Sequence, residues 1–425
     1  MNHPETSGAL WFYGGAVFDG ECMLPEGMGV LVEQGRITAV AEVTSVAPER
    51  LQRARHIDTR GATLLPGLID CHVHLCSTSD PDFFRTILES DRAGLALHML
   101  QMAQETLRGG VTTVRDLGCF EFIDMPVRDK INAGEQLAAS LLCAGKSITV
   151  TGGHAWSLSI EVDDAADIIA AVRENIDHGA DVIKLIATGG VATPNVDPLT
   201  AYLSSEMLNA AVAEAHRHGK RVAVHAQGAE GIQRAIEAGA ASIEHGFEIT
   251  DALVERMVDQ GVWLVPTLRA LERTAATADQ RMPAELSQRV ARFSQMQQDS
   301  FRRLVSANGR IAMGTDAGTP FNYHGDNARE LELMVEAGMT PLQALQSATR
   351  EAADLLDLSD RGRIAVGYDA DLLLVAGDPT ENILQAAHKE HHLAVYKRGF
   401  DVFGILGRPS SERTSARFLH DDSPF

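Results

Sequence analysis

Basic charge is in short supply. The chain of 425 residues carries 37 Lys and Arg against 58 Asp and Glu, a formal net charge of −21. Nucleic acid and anionic membrane surfaces both select basic patches, so neither is an expected partner. Acidity of this size is first of all a solubility property. Cysteine is scarce too: Cys22, Cys71, Cys76, Cys119 and Cys143 are odd in number and follow no framework spacing. That usage excludes a disulfide scaffold and fits reduced thiols in a cytoplasmic protein. No Cys-x-x-Cys pair suggests a zinc knuckle. Cys71 and Cys76 read as core filler rather than nucleophiles. Aromatic residues make up only 5% of the chain, which argues against a broad stacking platform. No apolar run is long enough to span a bilayer. Met1–Thr6 has neither the basic nor the apolar region of a secretory signal.

What is present is an ordinary globular balance, 45% apolar and 22% charged, in a chain long enough for more than one domain. The first ~60 residues are β-rich with Gly turns, including a hairpin pattern around Gln34-Gly35. From Thr63 onward, eight apolar strand patterns alternate with helical ones. They are Thr63–Ile69, Val111–Asp116, Leu141–Gly145, Val182–Ile186, Arg221–His225, Ala241–His245, Val262–Pro266 and Arg310–Asp316. Long helices are expected over Phe83–Leu107 and Pro283–Ala307, and further ones over Asn327–Ala337 and Pro341–Leu356. Eight strands with interleaved helices predict an α/β fold, a (β/α)8 TIM barrel. β-rich segments return after it, at Arg363–Val375 and His392–Phe400. The expected division is therefore a barrel over 63–360, inserted in a small β-sandwich built from 1–62 and 361–407, with a polar tail over 408–425.

In such a barrel the chemistry sits where the strands end. Strand one runs into Cys71-His72-Val73-His74; residues i and i+2 of a strand point the same way, so both imidazoles can reach one point. By itself a His-x-His pair is a weak signal. Strand five ends at His225, strand six at His245 and strand eight at Asp316. Lys184 stands inside the apolar strand four, where an ammonium is costly unless it is paired or neutralised. Four histidines, a carboxylate and a buried lysine at one mouth point to a metal centre.

In that order and on those strands, His72, His74, Lys184, His225, His245 and Asp316 resemble the amidohydrolase superfamily. Pro66–Asp70, Ile243–Gly246, Gly314–Asp316 and Gly367–Leu372 resemble its local signatures, so the resemblance spans nearly the whole chain. It implies the flanking β-sandwich and a binuclear centre of two divalent ions. His72, His74 and Asp316 would hold the inner ion, and His225 and His245 the outer. Lys184, carboxylated by CO2, would bridge both together with a hydroxide. Zinc suits the His-rich, carboxylate-assisted set. The implied reaction is amide hydrolysis, with Asp316 as general base and then acid.

Thr151–His154 and Ile183–Val191 resemble a narrower group of Xaa-Pro dipeptidases, Arg/Lys-type carboxypeptidases and N-acyl amino acid hydrolases. The resemblance implies a catalytic His154 near the substrate carbonyl, a small amide or dipeptide substrate and a homo-oligomer. The peptidases tend to carry Tyr two residues after the strand-five His, where this chain has Gln227. Gln227, Tyr202, Arg269 and His324 are further candidates for binding substrate. Two other readings compete: a cyclic-amide or imidazolone-like ring hydrolase, and a barrel scaffold without catalysis. Ring hydrolases of that kind use one metal and lack the strand-four lysine, so Lys184 counts against the first. The filled ligand positions count against the second.

Overall fold

The computed structural model describes residues 8–409 apart from 81, 192, 194–195 and 282–283, without the side chains of 277–287. Met1–Thr6, Pro194, Asn195 and the tail from 410 therefore lie outside the described residues.

Seven strands of the central region run parallel: β1 (Leu68–Val73), β2 (Val111–Asp116), β3 (Ser140–Cys143), β4 (Val182–Ile186), β5 (Arg221–Ala226), β6 (Ser242–His245) and β7 (Trp263–Val265). β1, β2 and β3 pair in sequence, and β4 to β7 do likewise. Helices Arg92–Arg108, Ala165–Asp177, Ser205–Arg217, Ala229–Ala238 and Asp251–Gln260 supply crossovers, the βα alternation of an α/β fold. Their starts are chemically marked: the side chains of Asp164, Ser204 and Thr250 each accept a hydrogen bond from a first-turn amide. The main core lies between these helices and the strands.

Several elements differ from the sequence reading. Thr63–Ile69 is two strands, not one: Ala62–Pro66 joins a flanking sheet, and β1 begins at Leu68. The break falls at Gly67, where a Cβ would come within 2.2 Å of the Thr112 side chain. Strands Ser147–Val150 and Ser159–Val162 were not anticipated; they pair with each other and meet β4 at Ile148. Arg310–Asp316 forms an isolated bridge, Leu264↔Ile311, rather than a ladder strand, and a second bridge, Val73↔Ala317, follows directly after it. Its backbone still links both neighbours, through Ala312 N–H to Leu264 O (3.0 Å) and Cys71 N–H to Met313 O (2.8 Å). The left-handed backbone of Asp316 (φ 58°) ends the extended run.

The helix expected over 83–107 divides at Ser90, which is extended, and restarts under an Asp91 cap. The helix over 341–356 divides at Thr349 into Pro341–Ser347 and Arg350–Leu355. After β7 the chain makes two helices where one was expected, α1 (Leu268–Arg281) and α2 (Ala284–Ser306), packed together.

Two flanking sheets use the ends of the chain. One has the order Arg36–Glu42, Met28–Glu33, Leu10–Tyr13, Arg55–Asp58. The other has the order Phe400–Asp401, His392–Lys397, Leu372–Ala376, Ala62–Pro66, Ala16–Val17. Phe12, Val30, Leu64, Leu372 and Tyr396 share a buried cluster, so residues far apart in the chain form one small core.

Candidate metal centre

β1 delivers His72 at its end and His74 just beyond it. Their Nε2 atoms lie 3.4 Å and 3.2 Å from Asp316 Oδ1. The three residues bring one donor atom each within 4.8 Å of the others. A buried carboxylate, Asp70, makes this meeting possible. Its Oδ1 accepts from the backbone N–H groups of His72 (3.0 Å) and Thr315 (3.1 Å), and its Oδ2 from Thr315 Oγ1 (2.6 Å) and Asn327 Nδ2 (2.8 Å). Burial pushes the Asp70 carboxyl up to about 6 against these bonds. Gly314 lets the two segments touch: a Cβ there would lie 2.3 Å from Val265 Cγ1 and 3.0 Å from His72 Cβ.

β5 and β6 deliver His225 and His245, whose ring centroids are 4.5 Å apart; the His245 ring is 5.1 Å from that of His72. Lys184, on β4, pairs with Ala223 of β5. Its Nζ is buried and has no hydrogen-bond partner among the described residues. Burial lowers its pKa to about 8. All six side chains line one cavity of about 570 Å³.

Electrostatics prepares the set for cations. Burial, then neighbouring positive charge, holds His72, His225 and His245 well below the ordinary imidazole range, so they are neutral donors. Burial works against the Asp316 carboxylate, but His72 and His74 outweigh it and keep it ionised. His74 is raised: its own burial opposes this, and its bond to Asp316 prevails.

The non-ligating ring nitrogens are already tied. His72 Nδ1 is 2.8 Å from Glu244 Oε2, and His74 Nδ1 is 3.2 Å from Gly118 O. His245 Nδ1 is 2.8 Å from Thr267 Oγ1, and His225 Nε2 is 2.8 Å from Gly189 O. This leaves Nε2 of His72, His74 and His245, and Nδ1 of His225, for a ligand. Such second bonds orient metal-binding imidazoles. The neutral imidazoles, the ionised Asp316 and the partnerless Lys184 Nζ together fit divalent metal. Local strain also gathers here: His245 (φ 72°), Thr267 (φ 53°) and Asp316 (φ 58°) all sit in the left-handed region without being glycine.

Of the other candidates, His154 and Gln227 line the cavity. His154 lies 4.7 Å from the His225 ring, and Thr193 Oγ1 holds its Nδ1 at 2.7 Å. Gly190 is its bed, since a Cβ there would strike the ring at 2.4 Å. Burial lowers the His154 pKa to about 4. Gln227 is buried, and its Oε1 has no hydrogen-bond partner among the described residues.

Tyr202, Arg269 and His324 are not among the cavity-lining residues. The Tyr202 hydroxyl accepts from the backbone N–H of Asp197 (3.3 Å). Arg269 faces Glu272 (3.7 Å) and Asp326 (3.8 Å). His324 packs behind the centre, with Nε2 3.2 Å from the His74 carbonyl. Sequence reasoning missed Glu244, which also meets Arg115 Nη2 at 3.0 Å and Ser242 Oγ at 2.5 Å. Its signal was a second charge inside a buried strand, next to His245.

A family model described as "Amidohydrolase family" matches residues 63–402. The ochratoxinase of Aspergillus niger is 28% identical over 405 residues, covering 86% of this chain and 80% of that protein. Among solved structures, a Xaa-Pro dipeptidase with methionine bound in its active site superposes with a TM-score of 0.83 at 32% identity. That match covers 92% of this chain and 99% of the other. The A. niger ochratoxinase structure gives a TM-score of 0.82 at 26% identity, over 92% and 95% of the two chains.

Proposed function

The chain belongs to the amidohydrolase family, and from that premise we propose that it hydrolyses the amide bond of an N-acyl amino acid, dipeptide or related carboxamide at a binuclear zinc centre. The observation that carries this reading is Lys184: a buried amine without a hydrogen-bond partner among the described residues, lining the same cavity as the His72–His74–Asp316 cluster and the His225–His245 pair. Carboxylated by CO2, it would cease to be an expensive buried cation and would serve as a ligand to the metal. The fold in this reading is a (β/α)8 barrel over 63–360, closed through Arg310–Asp316, with a small β-sandwich from 1–62 and 361–407. The relatives support the substrate class, since one is a Xaa-Pro dipeptidase and another an ochratoxinase.

Metal held by His72, His74, Lys184, His225, His245 and Asp316 would supply an acidified water and Lewis-acid polarisation of the scissile carbonyl. Asp316, held ionised, takes the water proton at its carboxylate and returns it to the leaving nitrogen. His154, neutral and fixed by Thr193, presents Nε2 to the substrate carbonyl oxygen as that oxygen gains charge. Gln227 offers its unpartnered Oε1 to a substrate N–H and its amide N–H to an acceptor.

The test is metal analysis of freshly purified protein, combined with mass spectrometry of the Lys184 peptide under conditions that retain CO2. Two metal ions per chain, a carbamate mass on Lys184, and hydrolysis restored to stripped protein by Zn²⁺ with bicarbonate are expected. Protein without metal that no such treatment activates would overturn the reading.

A further inference from the structure

Away from the ligand set, the cavity wall is largely apolar. Phe83, Phe84, Phe247, Phe321, Leu271 and Val290 line it, although aromatic residues are rare in the chain as a whole. Leu271 and Val290 come from the α1–α2 pair after β7, which folds back onto the cavity. Besides Lys184, Arg289 of α2 is the one lysine or arginine on that wall among the described residues. It makes no ion pair among the described residues. Its Nη2 meets the Val196 carbonyl at 3.5 Å, and its guanidinium lies 5.8 Å from the Phe293 ring centroid. Phe293 stacks on Phe247 (5.8 Å, 27°), and Phe247 meets the His245 ring at 6.2 Å. An aromatic column thus leads from His245 to a cation that forms no ion pair among the described residues.

We infer that the α1–α2 pair sets specificity, selecting amides that carry both a large apolar or aromatic group and a carboxylate, with Arg289 binding the carboxylate. The inference rests on the amide-hydrolase reading and narrows it. Leu271, Val290 and the phenylalanines take the apolar group out of water. Arg289, which has no ion pair among the described residues, gains a charge-assisted partner.

The test compares kcat/KM of the metal-loaded enzyme on N-acetyl-phenylalanine and phenylacetyl-glycine with that on N-acetyl-glycine. At least one aromatic substrate should be favoured by about 10- to 100-fold. Leu271→Ala should shrink that ratio. Arg289→Met should raise KM for the favoured substrate about tenfold more than for N-acetyl-phenethylamine, which has no carboxylate; Arg289→Lys should recover most of the loss. Equal kcat/KM for N-acetyl-glycine, or equal KM changes with and without the carboxylate, overturns this inference and leaves amide hydrolysis standing. If no amide is cleaved, the functional reading falls. Calorimetric binding of phenylalanine against glycine, to wild type and Arg289→Met, then decides the inference separately: tighter phenylalanine binding that depends on Arg289 upholds it, and no preference overturns it.

Discussion

Asp316 and Glu244 approach His72 from opposite nitrogens. Asp316 Oδ1 is 3.4 Å from Nε2, on the cavity side; Glu244 Oε2 is 2.8 Å from Nδ1, on the buried side, where Glu244 also neutralises Arg115. Two carboxylates beside one ring therefore carry different consequences. Asp316→Asn should lower turnover by at least ~10² while the fold survives, because it removes the proton acceptor. Glu244→Gln should instead cost stability, about 3–5 kcal/mol in urea unfolding, because Arg115 is left as an unpaired buried charge. Near-normal turnover in the first variant, or wild-type stability in the second, would reverse the assignment.

At the scale of elements, the centre depends on how closely Gly314 lets the segment after α2 approach β1. Asp70 ties the two, and Gly314 leaves room only for a hydrogen against Val265 and His72. Gly314→Ala forces a methyl into that contact, and overpacking of this kind costs about 1–3 kcal/mol. The expected result is a lower urea midpoint together with less metal bound per chain. An unchanged metal content would show that the approach of the two segments does not govern the site.

At the scale of the whole molecule, a buried lysine couples the flanking sheet to the parallel strands. Lys397 Nζ donates to the Thr112 carbonyl of β2 (2.9 Å) and to Asp371 Oδ2 (2.5 Å). Burial pushes the Asp371 carboxyl up, but Lys397 and Arg361 prevail and hold it below its ordinary value. A carboxyl depressed in the fold binds fewer protons there than in the unfolded chain. Its stabilisation is therefore present above about pH 4 and is lost as pH falls through the folded value. The stability gap between wild type and Asp371→Asn, measured by urea unfolding, should shrink between about pH 5 and about pH 3. A gap independent of pH would remove Asp371 as the titrating group. Among the described residues no helix is long and apolar enough to cross a membrane.

Much of the candidate site was legible in the chain itself. Apolar runs that end in His72, His225, His245 and Asp316, and one that encloses Lys184, mark strand ends without any coordinates, because burial dictates the run and chemistry dictates its last residue. The α/β alternation was legible for the same reason. Tertiary structure alone decided the rest. Asp70 and Thr315 are 245 residues apart, and only folding brings them to 3.1 Å. Which nitrogen of each histidine stays free depends on partners such as Thr267 and Gly189, which no local pattern announces. Arg269 and His324 follow strand ends as a ligand would, yet neither lines the cavity: Arg269 faces Glu272 and Asp326, and His324 lies behind the centre against the His74 carbonyl. Arg289 sits in the second turn of a long helix and reaches the wall because α2 packs back across α1. Sequence periodicity records which face of an element is buried. The direction a polar side chain takes there depends on long-range hydrogen bonds and the close approach of backbones, and those exist only in the folded molecule.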